Sequence, residues 1–254
     1  MLIETDLFGN TRDKVATAIE RIKAFEPPEG YYVAFSGGKD SVVILDLVKR
    51  SGVKFDAHYN ITGIDPPELV HFIKTFSDVQ THRPDKTMWQ LIVENGMPPL
   101  RQKRYCCRIL KERGGDGRKV ITGIRWAESN RRAKRKSVEA CFHDDHKFYI
   151  NPIIEWSDAD VWEFIRANNL PYCSLYDEGW KRLGCVCCPN ANQKQQAERW
   201  PKIANAYRRA CIRSFDKAIS EGKSRTWKDG NEMFEWWISG AGNKEDPDQT
   251  VMFE

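Results

Sequence analysis

The sequence predicts an α/β fold: a Rossmann-like parallel sheet with helices on both faces, plus a helical C-terminal extension. Apolar strand-like runs alternate with helical patterns from residue 11 to residue 169, which is typical of a parallel sheet. A Ser-Gly-Gly turn follows the first strand of this series, and beyond about residue 176 the pattern is helical and rich in tryptophan and arginine. The expected parts are an N-terminal helix at 1–26, an α/β domain at 27–175, and a cysteine-containing loop with the helical extension at 176–254.

Each predicted element follows from the spacing of apolar residues and from breakers. The first helix, 11–25, ends before the breaker Pro-Pro-Glu-Gly. Buried apolar runs predict strands at 31–36, 54–62, 79–84 and 118–125. Helical spacing predicts helices at 39–52, 66–78, 87–96 and 157–169. The last of these helices follows the apolar stretch 148–156, with Ser157 as its N-cap and Asp160 as the capping-box partner.

The 254-residue chain has the composition of a globular protein. Hydrophobic residues make up 41% and charged residues 30%, so an apolar core is available and disorder is not expected. No apolar run approaches the roughly 18 residues of a membrane span, and the N-terminal sequence MLIETDLFGNTRDK lacks the apolar core of a signal peptide. We therefore expect a cytoplasmic protein without a membrane partner. The formal net charge of +4 is too mild to indicate a nucleic-acid partner by itself.

Residues 33–43, VAFSGGKDSVV, join the first strand to the next helix through a turn suited to an anion. Glycines let the backbone approach a ligand closely, and N–H groups at a helix start attract negative charge. Lys39 adds a positive charge, and Ser36 and Ser41 add hydroxyl donors. The spacing does not fit the Walker A pattern. We expect Lys39 to lie in an exposed loop; the alternative interpretation is a tight turn with an ordinary surface lysine.

The segment Ser36, Gly37, Gly38, Lys39, Asp40, Ser41 resembles the PP-loop of the ATP pyrophosphatases. The resemblance implies an adenine nucleotide α-hydrolase-like fold, with ATP bound at 36–41 and with Lys39 and Asp40 acting in catalysis. In that family the loop grips the pyrophosphate of ATP while the α-phosphate is attacked. Preorganised N–H donors and Lys39 would stabilise the charge of the leaving pyrophosphate. Mg²⁺ is expected as a charge partner of the phosphates.

A second group of motifs resembles the phosphoadenosine phosphosulfate reductase family over about residues 30–190. The motifs are Thr62-Gly63-Ile64-Asp65-Pro66-Pro67-Glu68, Gly123-Ile124-Arg125, Glu128-Ser129 and the paired cysteines. The resemblance implies that Thr62, Gly63 and Gly123 contact the nucleotide and that Arg125 acts on its phosphates or sulfate. The loop and cysteine pattern together are most similar to the ATP pyrophosphatase of DNA phosphorothioation systems. The nucleotide is then ATP, or phosphoadenosine phosphosulfate or adenylylsulfate in the reductase branch.

The eight cysteines indicate metal or redox chemistry, because disulfides are rare in the cytoplasm. Cys106-Cys107 and Cys185-x-x-Cys188 form two close pairs. Four thiolates suit a [4Fe-4S] cluster or tetrahedral zinc, and an adjacent pair is easier to satisfy on a cluster, where each thiolate takes a different iron. The resemblance to adenylylsulfate reductases also implies a [4Fe-4S] cluster; reduced or disulfide-linked cysteines are the alternative. Cys187 could replace Cys185 or Cys188 as a ligand, or stay free.

Two groups of cations accompany these motifs. The stretch 125–136, RWAESNRRAKRK, holds six cations against Glu128. Clustered arginine and lysine suit phosphate, sulfate or a nucleic-acid backbone; the alternative is a solvated basic loop. Cations that flank the first cysteine pair either stabilise a negatively charged cluster or face substrate: Arg101, Lys103, Arg104 and Arg108.

These features predict an enzyme that uses ATP to adenylate an acceptor for sulfur transfer. Nucleic acid is a candidate acceptor, and a cysteine desulfurase a candidate sulfur donor. The alternative is a sulfonucleotide reductase, in which a cysteine attacks the sulfate sulfur and a thioredoxin-like protein resolves the product. The Glu-Cys-Gly-x-His motif that carries this nucleophile is absent from these 254 residues, where only Cys211 follows Cys188. A further alternative is a cluster-containing, nucleic-acid-binding redox sensor without turnover.

Overall fold

The computed structural model describes residues 2–5, 9–141 and 144–243. Its strands are β1 (Ile3–Thr5), β2 (Thr11–Asp13), β3 (Tyr31–Ala34), β4 (Phe55–Asn60), β5 (Val79–His82), β6 (Lys119–Ile121), β7 (Val138–Cys141) and β8 (Asp144–Ile150). Its α-helices are α1 (Lys14–Ala24), α2 (Lys39–Ser51), α3 (Pro67–Ile73), α4 (Met88–Asn95), α5 (Asn130–Ala133), α6 (Asp158–Ala167), α7 (Gln193–Arg199), α8 (Pro201–Ser220) and α9 (Gly230–Ile238). Shorter helical turns lie at Cys107–Lys111, Trp126–Glu128, Ser174–Tyr176 and Ala241–Asn243.

A six-stranded sheet with the order β5-β4-β3-β6-β8-β7 carries the predicted α/β fold. Five of its strands are parallel, and β7 pairs antiparallel with β8 at one edge. The chain order reverses between β3 and β6, and doubly wound sheets bind ligands beyond the carboxyl ends of the strands at such a point. The turn at 36–41 follows β3, and residues 122–125 follow β6. Both segments therefore begin where a ligand site is expected.

Helix α2 connects this turn to the core. It begins after Gly38 and ends at Gly52, whose φ of 73° is the left-handed conformation that glycine adopts without strain. Six of its apolar side chains are at most 3% exposed, and burial of each stabilises the fold by about 1.5–3 kcal/mol: Val42, Val43, Ile44, Leu45, Leu47 and Val48. The helix packs against α1 and α6, so the start of α2 is held by the core.

Two sequence predictions need correction here. Residues 11–13 were expected to be helical but form β2, which pairs with β1. The reason is that Asp13 is the N-cap of α1: its carboxylate accepts hydrogen bonds from the N–H groups of Val15 and Ala16, and an N-cap residue is not helical. The antiparallel strand β7 was also not predicted, so the sheet is mixed rather than wholly parallel. The capping box of α6, with Ser157 and Asp160, is confirmed.

The chain divides into two compact units. The first unit comprises Met1–Asn60, Pro67–His82 and Arg113–Leu183, and the second comprises Ile61–Pro66, Arg83–Glu112 and Gly184–Glu254. In the second unit α8 packs against α4, α7 and α9. Its core includes Tyr207, whose ring lies 4.7 Å from that of Trp237, while the Trp237 indole N–H donates to the Pro99 carbonyl at 2.7 Å. Among the described residues no helix is both long and apolar enough to cross a membrane.

Candidate functional site

The turn at 36–41 is shaped by glycine and serine. Gly37 has a φ of +72°, and a Cβ there would lie 2.5 Å from Ile73 Cγ1, so only glycine fits. The Ser41 hydroxyl donates to the Gly38 carbonyl at 2.8 Å, and the Ser36 N–H donates to the same hydroxyl oxygen at 3.2 Å. Local hydrogen bonds of this kind hold a turn in one conformation. The backbone at the start of α2 is therefore preorganised.

Lys39 is the first residue of α2 and is only 5% exposed. The expectation that it lies in an exposed loop is wrong, because protein groups surround both ends of the residue. Its backbone N–H donates to the Tyr176 hydroxyl at 2.9 Å, and its Nζ lies 3.0 Å from Asp158 Oδ1 and 3.6 Å from Asp40 Oδ2. The ammonium is thus held at the turn by two carboxylates.

Arg125 follows β6 and is 2% exposed. Its Nε donates to Asp40 Oδ1 at 2.6 Å, its Nη1 donates to the Trp156 carbonyl at 3.2 Å, and its Nη2 donates to Asp158 Oδ1 at 3.1 Å. The close approach of the two strand ends requires Gly123, where a Cβ would lie 3.0 Å from the backbone of Asp40. The planar guanidinium is fixed at three points and presents its charge beside Lys39.

Asp158, at the start of α6, completes this arrangement, since one carboxylate oxygen contacts both Lys39 and Arg125. Burial acts to raise the pKa of Asp158, but hydrogen bonds from Lys39 and Arg125 outweigh it and hold that pKa below its usual value. We call residues 36–41 with Arg125 and Asp158 the anion site. It contains two nearly buried cations and two carboxylates.

The sequence did not single out Asp158 or Tyr176 as site residues. Asp158 lies between Ser157 and Asp160, so it reads as an acidic residue of an ordinary first helical turn. Tyr176 lies in a short helical turn, Ser174–Tyr176, at the predicted start of the extension. The one sequence feature that could have pointed to Asp158 was the position of α6 directly after an apolar stretch, because this position puts the N-terminus of α6 near a strand end.

Four cysteines in the second unit share one electrostatic environment. The pKa of the Cys106 thiol is raised first of all by its hydrogen bond with Cys107. Burial and the charges of Cys107, Cys185 and Cys188 raise this pKa further. The same Cys106 hydrogen bond lowers the pKa of Cys107 to about 6. All four are half-buried. We call Cys106, Cys107, Cys185 and Cys188 the cysteine site.

Cys187 differs from its neighbours. Its side chain is fully buried, its φ is +57°, and its thiol lies 3.9 Å from the Gln193 carbonyl. Burial comes first among the causes that raise its pKa, to about 12, and Cys188 is the only charged neighbour that contributes. The Cys187 thiol is thus buried against Gln193, whereas the four cysteines of the cysteine site are half-buried.

The predicted nucleotide residues Thr62 and Gly63 belong to the second unit. The Thr62 hydroxyl donates to Asp65 Oδ2 at 2.7 Å, and Thr62 also hydrogen-bonds Cys185. The Val186 N–H donates to the Ile64 carbonyl at 2.8 Å, which ties this segment to the cysteine loop. The structure thus places Thr62 beside the cysteine site, and its contact with a nucleotide stays a prediction.

Of the four cations that flank the first cysteine pair, Arg104 acts on the cysteine site, and Lys111 also acts on it. Arg104 and Lys111 both lower the pKa of Cys107, and Lys111 hydrogen-bonds Cys185. Lys111 was not among the cations singled out from the sequence. In the basic stretch 125–136 of the first unit, Arg132 pairs with Glu128 and Arg135 pairs with Glu139. Part of the charge of that stretch is therefore neutralised.

The doubly wound sheet, the glycine turn and the paired cysteines all fall within one family match. Residues 30–191 match the family described as the phosphoadenosine phosphosulfate reductase domain, and the chain belongs to this family. The match covers most of the α/β domain and extends through the second cysteine pair.

The relatives of this chain include both uncharacterised and named proteins. An uncharacterised protein of Methanocaldococcus jannaschii, MJ0066, is 32% identical over 200 residues, which cover 69% of this chain but only 41% of that protein. The adenosine 5'-phosphosulfate reductase of Oceanobacillus iheyensis is 29% identical over 66% of this chain and 75% of its own length. The chain thus spans less than half of MJ0066 and three quarters of that reductase.

Solved structures show the same fold. The phosphoadenylyl-sulfate reductase of Candida auris, solved as a phosphate complex, aligns with a TM-score of 0.53 at 19% identity over 66% of this chain and 88% of that chain. The FMN adenylyltransferase of Candida glabrata, solved with FAD and inorganic pyrophosphate, aligns with a TM-score of 0.50 at 18% identity over 68% of this chain and 62% of that chain. The Rossmann-like, adenine nucleotide α-hydrolase-like fold is therefore confirmed.

Proposed function

We propose that the chain is an ATP pyrophosphatase-type enzyme that adenylates an acceptor for sulfur transfer, with a [4Fe-4S] cluster at the cysteine site. One observation carries the first half of this proposal: Lys39 and Arg125, 5% and 2% exposed, converge on a single oxygen beside the glycine turn. Two preorganised cations of low exposure stabilise an anion more strongly than solvated ones. Pyrophosphate leaving from ATP is such an anion.

In the reaction, an oxygen of the acceptor attacks the α-phosphorus of ATP and pyrophosphate leaves. Lys39 and Arg125 stabilise the charge that collects on the leaving group, while the turn at 36–41 supplies backbone donors. A sulfur nucleophile from a donor then displaces AMP from the adenylated acceptor. Mg²⁺ would accompany the phosphates, and Asp40 and Asp158 are the carboxylates of the anion site that could serve as its ligands.

The donor set of the cysteine site fits a four-iron cluster better than a single metal ion. Cys106 and Cys107 are adjacent in sequence, and adjacent side chains diverge, which makes them an awkward pair of ligands for one tetrahedral zinc ion. A [4Fe-4S] cluster instead takes one thiolate on each iron, and Cys106, Cys107, Cys185 and Cys188 supply four thiols in a shared environment. When bound, such a cluster supplies a site for electrons or sulfur. Arg104 and Lys111 would balance its negative charge.

The acceptor and the donor are proposed from chemistry alone. Basic residues of the stretch 125–136 that lie exposed suit a phosphate backbone, which makes nucleic acid the candidate acceptor: Arg131, Lys134 and Lys136. A cysteine desulfurase is the candidate sulfur donor. The combination of intact loop and cysteine pattern supports the DNA phosphorothioation type as the branch that we propose.

A sulfonucleotide reductase is the second candidate, and the similarity to adenosine 5'-phosphosulfate reductases favours it. In that reaction a thiolate attacks the sulfate sulfur, and a thioredoxin-like protein later reduces the enzyme S-sulfo intermediate to release sulfite. Within this chain Cys211 is the only cysteine after Cys188. It is fully buried in α8, and burial raises the pKa of its thiol to about 12. A buried, protonated thiol is a poor nucleophile, so we place this function second.

The deciding experiment measures pyrophosphate release from ATP in the presence of DNA or tRNA. Lys39→Met is expected to abolish release, because it removes one of the two cations of the site and leaves only Arg125, which Asp40 and Asp158 already pair. Lys49→Met is the matched control: Lys49 lies on the same helix, and its side chain is 47% exposed and paired with Asp78, so release should stay unchanged. Sulfite release from adenylylsulfate or phosphoadenosine phosphosulfate with thioredoxin, without pyrophosphate release from ATP, would replace this proposal by the reductase.

A further inference from the structure

We propose that Asp158 determines the anion affinity of this site, because its carboxylate occupies the position between Lys39 and Arg125 that a phosphate oxygen takes. The inference deepens the proposed function. It rests on only one part of that function, namely that the turn at 36–41 binds a phosphate group. It concerns ligands with a diphosphate or phosphate group, whatever acceptor or second substrate follows.

The contact geometry is the first argument. Lys39 Nζ and Arg125 Nη2 lie 3.0 Å and 3.1 Å from the same atom, Asp158 Oδ1. A single oxygen that accepts from an ammonium and a guanidinium is the arrangement by which these groups bind a phosphate oxygen. A phosphate oxygen that accepts from both cations at this point therefore competes with this carboxylate oxygen.

The second argument is the difference in burial among the four charged groups. The side chains of Lys39, Arg125 and Asp40 are 6%, 2% and 21% exposed, whereas that of Asp158 is 63% exposed. Arg125 is also held by Asp40 and by the Trp156 carbonyl. Asp158 reaches the cations from the first turn of α6 and is bordered by solvent, so it is the member of the group that has room to turn outward.

The third argument is charge. With Asp158 in place, the two cations are matched by two carboxylates, and an incoming phosphate meets a group without net charge. When Asp158 turns outward, the remaining three groups carry a net positive charge at the turn. A neutral side chain at this position would give that positive charge permanently, and would also remove the repulsion between the carboxylate and the phosphate.

The test is the affinity of inorganic pyrophosphate for the Asp158→Asn variant, measured by isothermal titration calorimetry without Mg²⁺. Asparagine keeps the shape and removes the charge. We expect the Kd to fall about three- to fivefold, the range that an exposed carboxylate with two cationic partners can supply. Asp160→Asn is the matched control: Asp160 lies on the same helical turn but pairs with Lys14 at 2.9 Å, and its loss should leave the Kd unchanged.

Two further results complete the test. Thermal unfolding of each variant checks that it is folded, and titration of the parent chain shows that the site binds pyrophosphate. An unchanged or weaker affinity of folded Asp158→Asn, while the parent binds pyrophosphate, overturns this inference alone. If neither the parent nor any variant binds pyrophosphate, the inference about Asp158 is overturned. The role of the turn at 36–41 in the proposed function is then overturned as well.

Discussion

Removal of the Arg125 guanidinium tests the central feature of the anion site, a cation held in the core by fixed acceptors. In Arg125→Met the side chain keeps much of its volume, but the carboxylate of Asp40 loses the donor at 2.6 Å and the Trp156 carbonyl loses the donor at 3.2 Å. Breaking a buried ion pair by removing one partner costs about 3–5 kcal/mol. We expect about 3 kcal/mol, the lower end of that range, because Lys39 Nζ remains 3.6 Å from Asp40.

Arg12→Met provides the matched control for this prediction. Arg12 pairs with Glu155 at 2.6 Å, the same distance as in the Arg125–Asp40 pair, but the side chain of Arg12 is 46% exposed against 2% for Arg125. Exposed pairs contribute about 0–1 kcal/mol, and Glu155 keeps Arg21 as a partner at 3.0 Å. The two variants therefore separate the effect of burial from that of the contact distance.

The measurement is native-state hydrogen exchange of the peptides that contain β3 and β6, which reports on the first unit alone. A loss of about 3 kcal/mol corresponds to exchange that is roughly 100-fold faster. In a double-mutant cycle with Asp40→Asn, the combined loss should be smaller than the sum of the single losses, because the second substitution removes the unpaired carboxylate. Equal exchange rates in Arg125→Met and Arg12→Met would refute the reasoning.

Two other substitutions test the turn and the cysteine site. Gly37→Ala should destabilise the first unit by about 1–3 kcal/mol more than Gly52→Ala. Both glycines have φ near 72°, but only at Gly37 would a Cβ meet Ile73, at 2.5 Å. Urea unfolding measures the difference, and equal losses of stability would contradict the close contact. Anaerobically purified Cys188→Ser should contain neither iron nor acid-labile sulfide. Cys187→Ser should keep both, because the Cys187 thiol is buried against Gln193. Loss of iron in Cys187→Ser alone would exchange the roles of the two cysteines.

The order of strands and helices in the first unit could be predicted because each element carries its own local signal. The strand at Tyr31–Ala34 is a continuous apolar run, and α2 is bounded by Gly38 and Gly52. The exceptions have local causes as well. The predicted helix 11–25 starts three residues too early, because Asp13 is the N-cap and α1 begins at Lys14.

The burial of Lys39 could not be predicted, because it depends on residues far away in the chain. The sequence places a lysine at a helix start, where a side chain is normally solvated. In the structure the Lys39 N–H donates to Tyr176, which is 137 residues away in sequence. The Lys39 Nζ contacts Asp158, which is more than 100 residues away. No periodicity or motif within the turn contains this information, since it follows from sheet order.

The same reasoning explains why the cysteine site, whose metal-binding role stays a prediction, could be delineated more fully from the sequence than the anion site. Its four ligand candidates lie in two local pairs, and thiols have few roles other than metal or redox chemistry in this setting. A carboxylate such as Asp158 has many roles, and its sequence position fits an ordinary helix start. What distinguishes it is that two cations of low exposure share one of its oxygens. The charge of the anion site is therefore set by α6 as much as by the turn itself, and a motif that includes only residues 36–41 describes the shape of the site but not its affinity.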